Sequence, residues 1–271
     1  MAKEQRPHDH YHQTGQALRA PSARTLQSPE WFPTRQRLLS QLINVQEVPV
    51  RTPLVKRLQD KFWQGDQYMD PVIQLGKAIG MSNIRKMLTQ ALDHDIESVP
   101  NAPKELASLF GHLDRQPEWF NEDDYERGRI ALANASPIGR LVGLAMAFLV
   151  TAQAGSVANA VGSTAQYTRA SAVIRRHVET ALFFHRVSLS GGYTRSSETS
   201  HEIVEVRFMH AQVRAAAKKR WGPAVLAIHG NPISDADVTL GITAFGVQKL
   251  IGDCVFGRRF SSRDLDAMVR Y

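Results

Sequence analysis

In the run Val206-Arg207-Phe208-Met209-His210-Ala211-Gln212-Val213-Arg214, one imidazole stands between two guanidiniums, three residues after the first and four before the second. On a helix those offsets place the three side chains on successive turns of one side. Ile203, Val206, His210, Val213 and Ala217 recur with the helical period, which points His210 into the core and sets Arg207 and Arg214 beside it. A histidine on such a stripe ordinarily satisfies itself with a hydrogen bond. Arginines drawn out of water need anions. A haem supplies both partners, an iron for the imidazole and two propionates for the guanidiniums. The preceding helical stretch carries a second set. Val173, His177, Thr180 and Phe184 form its stripe, and Arg176 and Thr180 share a face at i, i+4. Read as a donor pair, Arg176 and Thr180 line a pocket opposite His210. Read as ordinary residues, Thr180 bonds its own backbone and Arg176 lies at the surface. His177 is the second candidate for an iron ligand.

Other chemistries find less. Glu198-x-x-His201 has the spacing of a diiron carboxylate site, but such a site needs the motif twice and further helix glutamates, and no second copy occurs. His201-Glu202-x-x-Glu205 lacks the second histidine of a zincin. Cys254 follows an apolar helix with no histidine near in sequence, and reads as a buried, inert thiol. Gly191-Gly192 has no Gly-Lys-Ser/Thr after it and is no phosphate loop. His8-Asp9-His10-Tyr11-His12 lies in a polar stretch and reads as solvated tail.

The elements that must position these residues are helical throughout. Apolar spacings of three and four mark Thr34–Ile43, Pro53–Phe62, Asp70–Ile79, Met81–Leu92 and Glu105–Leu113, with Gly80 closing the third and Ser82/Asn83 capping the fourth. Further helices are expected near 122–134, 137–153, 156–167, 170–187, 199–220 and 234–252. Carboxylates at 122–126 suit a helix start, Gly222-Pro223 stops the long helix, and Ser234 caps the next. Alternating β-branched runs are nearly absent, so the fold class is all-α. Residues 1–30 read as a mobile tail, 31–116 as an N-terminal helical region, and 117–271 as the core that holds the site.

Composition bounds the function classes. The 271 residues are 43% hydrophobic and 22% charged, which is globular. Thirty-three basic against twenty-six acidic residues leave +7, but the cations are scattered apart from Lys218-Lys219-Arg220, so no nucleic-acid partner is expected. A single cysteine excludes an internal disulfide, a four-thiolate zinc site and a covalent Cys-x-x-Cys-His haem. Leu141–Thr168 carries no charge, yet only Leu141–Val150 is strongly apolar; it reads as a core helix, and no membrane span is expected. The first 30 residues show no apolar leader, which reads as a cytoplasmic chain.

Three ordered blocks resemble the MpaB/latex-clearing-protein oxygenase superfamily: the run around Arg207 and His210, Arg176-x-x-x-Thr180 upstream, and Asn231-Pro232-Ile233-Ser234-Asp235-Ala236-Asp237 before an apolar helix downstream. The resemblance covers about 120–271. It implies a helical, globin-like core holding a non-covalent haem b, with His210 as the axial ligand and Arg207 and Arg214 supporting the cofactor. Arg176, Glu179 and Thr180 would form the catalytic side of the pocket. It further implies oxidation or cleavage of a carbon–carbon double bond of an apolar, isoprenoid-like substrate with dioxygen. Where the latex-clearing enzymes have a lysine beside the pocket threonine, this chain has Glu179, which could substitute as a polar distal group. The family's upstream glutamate has no counterpart, since no carboxylate occurs from Thr151 to Val178. Rubber itself is therefore not the expected substrate. The resemblance also implies further helices beyond Phe256 in longer relatives. Three alternatives remain open from sequence: a haem protein without oxygenase activity, a diiron oxidase, and a basic helical interaction module.

Overall fold

Residues 57–58, 60–134, 136–152, 170–192 and 194–271 are described in a computed structural model of the chain. Among them occur nine α-helices and no strand: α1 (Met69–Ile79), α2 (Met81–His94), α3 (Lys104–Leu113), α4 (Glu122–Ala133), α5 (Pro137–Ala152), α6 (Ala170–Val187), α7 (Glu198–His229), α8 (Asp235–Val255) and α9 (Ser262–Arg270). The all-α expectation holds. The helices expected at Thr34–Ile43 and 156–167, the tail 1–30 and its histidine cluster lie outside the described residues.

Local chemistry sets the boundaries. Gly80 divides α1 from α2 at φ 99°, a backbone region that favours glycine. The cap expected at Ser82/Asn83 does not form. The helix already starts at Met81, and the Asn83 amide donates instead to the Ile79 carbonyl (2.8 Å), closing the end of α1. Asn121 caps α4 through the Asp124 N–H. Ser234 opens α8 in a reciprocal capping box with Asp237, as its position predicts. Ser261 and Asp264 do the same for α9, a helix that the sequence pattern did not mark. Gly222, at φ 68° and ψ 174°, breaks α7, but the chain resumes its helix to His229.

Among the described residues three apolar clusters form the interior. In the first, α1, α2 and α3 bury Met69, Ile73, Leu88, Leu106 and Phe110 against Val204, Phe208 and Ala211 of α7. The N-terminal helical region therefore shares one core with the long helix. This rotates the buried stripe of α7 from the predicted one. Val204, Phe208, Ala211 and Arg214 are buried, while Ile203, Val206, His210 and Val213 are half-buried on the next face. The apolar surface of α1–α3 selects the face, and period alone does not reveal which of two adjacent stripes a neighbour will cover.

The second cluster joins α5, α6 and α8. Phe184 stacks on Phe245 (4.2 Å, 13°), and Phe148 meets Phe245 edge-on. Here α5 lies close along α8. A methyl group on Gly143 would stand 2.8 Å from the Lys249 Cα, and Gly252 lies against Gly139. The buried Asp253 ties the two helices: its carboxylate accepts from the Ser136 N–H (3.1 Å) and hydroxyl (2.8 Å) and from Arg258 (2.8 Å). The third cluster packs Ala131 and Leu132 of α4 against Met268 of α9. Cys254 is exposed, not buried as expected, because the neighbouring Asp253 takes the inward position. Among the described residues, α8 is long and apolar enough to cross a membrane; it lies along α5.

Candidate functional site

Two helices deliver the site. The start of α1 supplies carboxylates, and α7 supplies the imidazole and guanidiniums. Asp66 precedes α1 and accepts the N–H groups of Tyr68 (3.1 Å) and Met69 (2.9 Å), so it caps the helix from outside. The same carboxylate grips Arg207 in two places, Nε at 2.7 Å and Nη2 at 2.9 Å. One turn later Asp70 grips Arg214, with Nε at 3.1 and 3.0 Å and Nη2 at 2.8 Å. The Arg214 Nη1 also donates to the Ile233 carbonyl in the turn before α8. The anions that the two arginines require are thus aspartates of the chain itself.

His210 lies between the clamped arginines. It faces a cleft of about 400 Å³ whose other walls include Gln64, Tyr68, His112, Ile233 and Val238, a volume within the usual range of ligand sites. Burial first, then the charges of Arg214 and Arg176, push its pKa down to about 4, against the opposing pull of Asp66. The ring is therefore neutral at physiological pH, and neither ring nitrogen is hydrogen-bonded to a described residue. At the same cleft His112 stacks flat on Tyr68 (3.9 Å, 8°), and burial followed by the Arg207 charge lowers its pKa too. Burial works to raise Asp66, but its bonds to Arg207 and to two backbone N–H groups hold it below the ordinary carboxylate range. Lys61 closes the rim in an ion pair with Asp235.

The residues expected on α6 divide. Arg176 is half-buried and reaches across to α7, where its Nη2 lies 3.9 Å from the Met209 sulfur; it pairs with no carboxylate among the described residues. Thr180 donates its hydroxyl to the Arg176 carbonyl (2.9 Å), the ordinary back-bond of a helical threonine. Glu179 is exposed and paired with Arg175 (2.9 Å), so a place in the pocket would require it to leave that pair. His177 packs on Phe148 (4.2 Å) in the α5–α6–α8 cluster, apart from the cleft of His210. The diiron motif disperses, with Glu198 exposed and His201 near Asp93 (3.8 Å). No group of three or more metal-binding side chains occurs among the described residues. Sequence reading found the arginines and His210 but missed Asp66 and Asp70. Two carboxylates four residues apart at the start of a helix were the available signal.

Fold and site together define, among the described residues, an all-helical protein whose longest helix presents His210 to a cleft between two clamped arginines. The chain is similar to a solved structure of latex clearing protein in the closed state, at a TM-score of 0.60 and 20% sequence identity over 78% of this chain and 56% of that one. The chain spans about half the length of that structure, and what the likeness shows is the fold. No family model matches the chain, and no curated protein matches it.

Proposed function

We propose that this protein binds a b-type haem on His210 and acts as an oxygenase that oxidises or cleaves a double bond of an apolar, isoprenoid-like substrate. The observation that carries the reading is the His210 imidazole, half-buried at the cleft wall, neutral and without a hydrogen bond to any described residue. An unprotonated ring nitrogen at the wall of a cleft is what an iron requires. The shared fold and the three ordered motifs support the same assignment.

The residues fit the haem in part. His210 would hold the iron through its neutral imidazole. Arg207 and Arg214 do not fit as propionate partners, because Asp66 and Asp70 already hold them. Arg176, without an anion among the described residues, is the cation left to meet a carboxylate or a polar ligand near His210. When bound, the haem supplies the iron that activates dioxygen. The chain's own part is to hold the imidazole neutral, to keep the flanking guanidiniums matched, and to place Arg176 at the α6 side. Haem reconstitution tests the reading. The expected result is a Soret band in the wild type that His210→Ala abolishes and His177→Ala retains. A wild type that takes up no haem under replete conditions sinks it.

One observation favours a second reading, haem binding without oxygenase activity. Glu179, expected from the sequence as the polar distal group, pairs with Arg175 at the surface. Oxygen consumption with an unsaturated apolar substrate separates the two readings.

A further inference from the structure

Asp66 lies 141 residues before Arg207 and outside every motif that singled out α7, yet the site hangs on it. Its carboxylate spends one oxygen on two N–H groups at the start of α1 and on Arg207, and the other on Arg207 alone. Asp70 repeats the grip one turn further on, at Arg214. The two guanidiniums stand three residues before and four after His210. A helix held at two such points cannot turn about its axis or slide without breaking charge-assisted, two-pronged bonds, the strongest kind of side-chain hydrogen bond. Asp66 and Arg207 are both largely withdrawn from solvent, at 16% and 25% exposure, so water does not easily replace either partner.

We propose that Asp66 is a positioning residue for His210: through Arg207 it fixes the rotation at which α7 presents the imidazole to the cleft, and it keeps the Arg207 cation matched at the cleft wall. The ligand in this inference rests on the haem reading; the clamp itself does not. Partners that orient a ligating histidine typically affect metal affinity by about 10–100-fold.

Asp66→Asn separates this role from helix capping. Asparagine keeps an oxygen for the Tyr68 and Met69 N–H groups and is as good a cap as aspartate. Its Nδ2, however, would face the Arg207 Nε, donor against donor. Adding Arg207→Gln supplies a carbonyl for that Nδ2 and removes the unmatched cation. Haemin is titrated into the wild type, Asp66→Asn and the double variant, followed by the Soret band and the ligation state it reports, with thermal unfolding of each haem-free protein alongside. The expected result is affinity weakened about 10–100-fold in Asp66→Asn, an altered ligation spectrum, and recovery of most of the loss in the double variant. Wild-type affinity and spectrum in Asp66→Asn overturn the inference, as does a loss that the double variant retains. If the wild type itself takes up no haemin, the proposed function fails and the clamp is decided on the haem-free proteins by the His210 ring signals in NMR. One narrow set that splits or broadens in Asp66→Asn supports the clamp; identical sets in both proteins overturn it.

Discussion

Removing Asp70 should leave Arg214 as a charge stranded in the interior. The Arg214 side chain is only 4% exposed, and Asp70 accounts for three of its contacts at 2.8–3.1 Å, leaving the Ile233 carbonyl as the other partner among the described residues. Breaking a buried pair from one side costs about 3–5 kcal/mol. Losing the favourable placement of a carboxylate in the first turn of α1 adds about 0.3–1 kcal/mol, so the stranded guanidinium dominates. In Asp70→Ala the folding equilibrium should therefore fall by roughly two and a half to four powers of ten, since each 1.4 kcal/mol is tenfold. That is a large share of the roughly 5–15 kcal/mol that holds a typical domain together. Urea unfolding followed by circular dichroism at constant slope measures it. Replacing both partners with apolar side chains, Asp70→Leu with Arg214→Met, should recover to within about 1 kcal/mol of wild type, because no charge is then left unmatched. The reasoning is refuted if Asp70→Ala loses less than about 1 kcal/mol, or if the double variant is no better than the single one.

Further expectations follow from other positions. The depressed pKa of His210, about 4 against 6.5 in the unfolded chain, means that below about pH 6.5 the unfolded state takes up a proton that the native state refuses. Stability of the haem-free protein should then drop as pH falls from about 6.5 to about 4, by up to roughly 3 kcal/mol, with His112 acting in the same direction. His210→Gln should flatten that acid limb in unfolding scans, and an unchanged limb contradicts the assignment. Gly143→Ala forces a methyl group 2.8 Å from the Lys249 Cα and should cost about 1–3 kcal/mol, whereas Gly241→Ala meets nothing within 4 Å and should gain about 0.5–1 kcal/mol. Comparative melting temperatures decide between them. Glu179→Gln breaks only an exposed pair, so its stability change should stay within about 0.5 kcal/mol and the Soret band should be unaltered; loss of the band would place Glu179 at the haem after all.

Helix positions were legible in the sequence because apolar period and punctuation act locally. Gly80, Gly222, Ser234 and the acids after Asn121 each mark a boundary through their own backbone chemistry. Helix α9 escaped notice, though its Ser261/Asp264 capping box was available, because its nine residues are too few to show a sustained period. The site was legible only in part. His210 and its arginines announce themselves within nine residues, and the need for anions follows from burial alone. Which anions answer depends on a contact across more than 140 residues, and no local rule reaches that far. The rotation of α7's buried face failed for the same reason. Glu179 shows the converse limit, since a position within a motif fixes neither the rotamer nor the nearer partner, here Arg175.

The break at Gly222 has a consequence for the order in which the protein folds. Past it, the chain finishes α7 and returns to the segment before α1. There the Asn231 N–H donates to the Phe62 carbonyl (2.9 Å) and the Asp235 N–H to the Gln64 carbonyl (3.0 Å). The cleft around His210 is thus stitched from segments near 61–68, 112, 207–214 and 233–238. Contacts between α1, α2 and α3 are short-range and can form early, whereas those that join the segment before and at the start of α1 to α7 and to the turn before α8 close loops of well over a hundred residues and must come late. A chain still emerging from the ribosome has not yet made α7 or the turn into α8, so it cannot assemble the His210 pocket. The imidazole acquires its unusual acidity only when the last third of the protein has arrived.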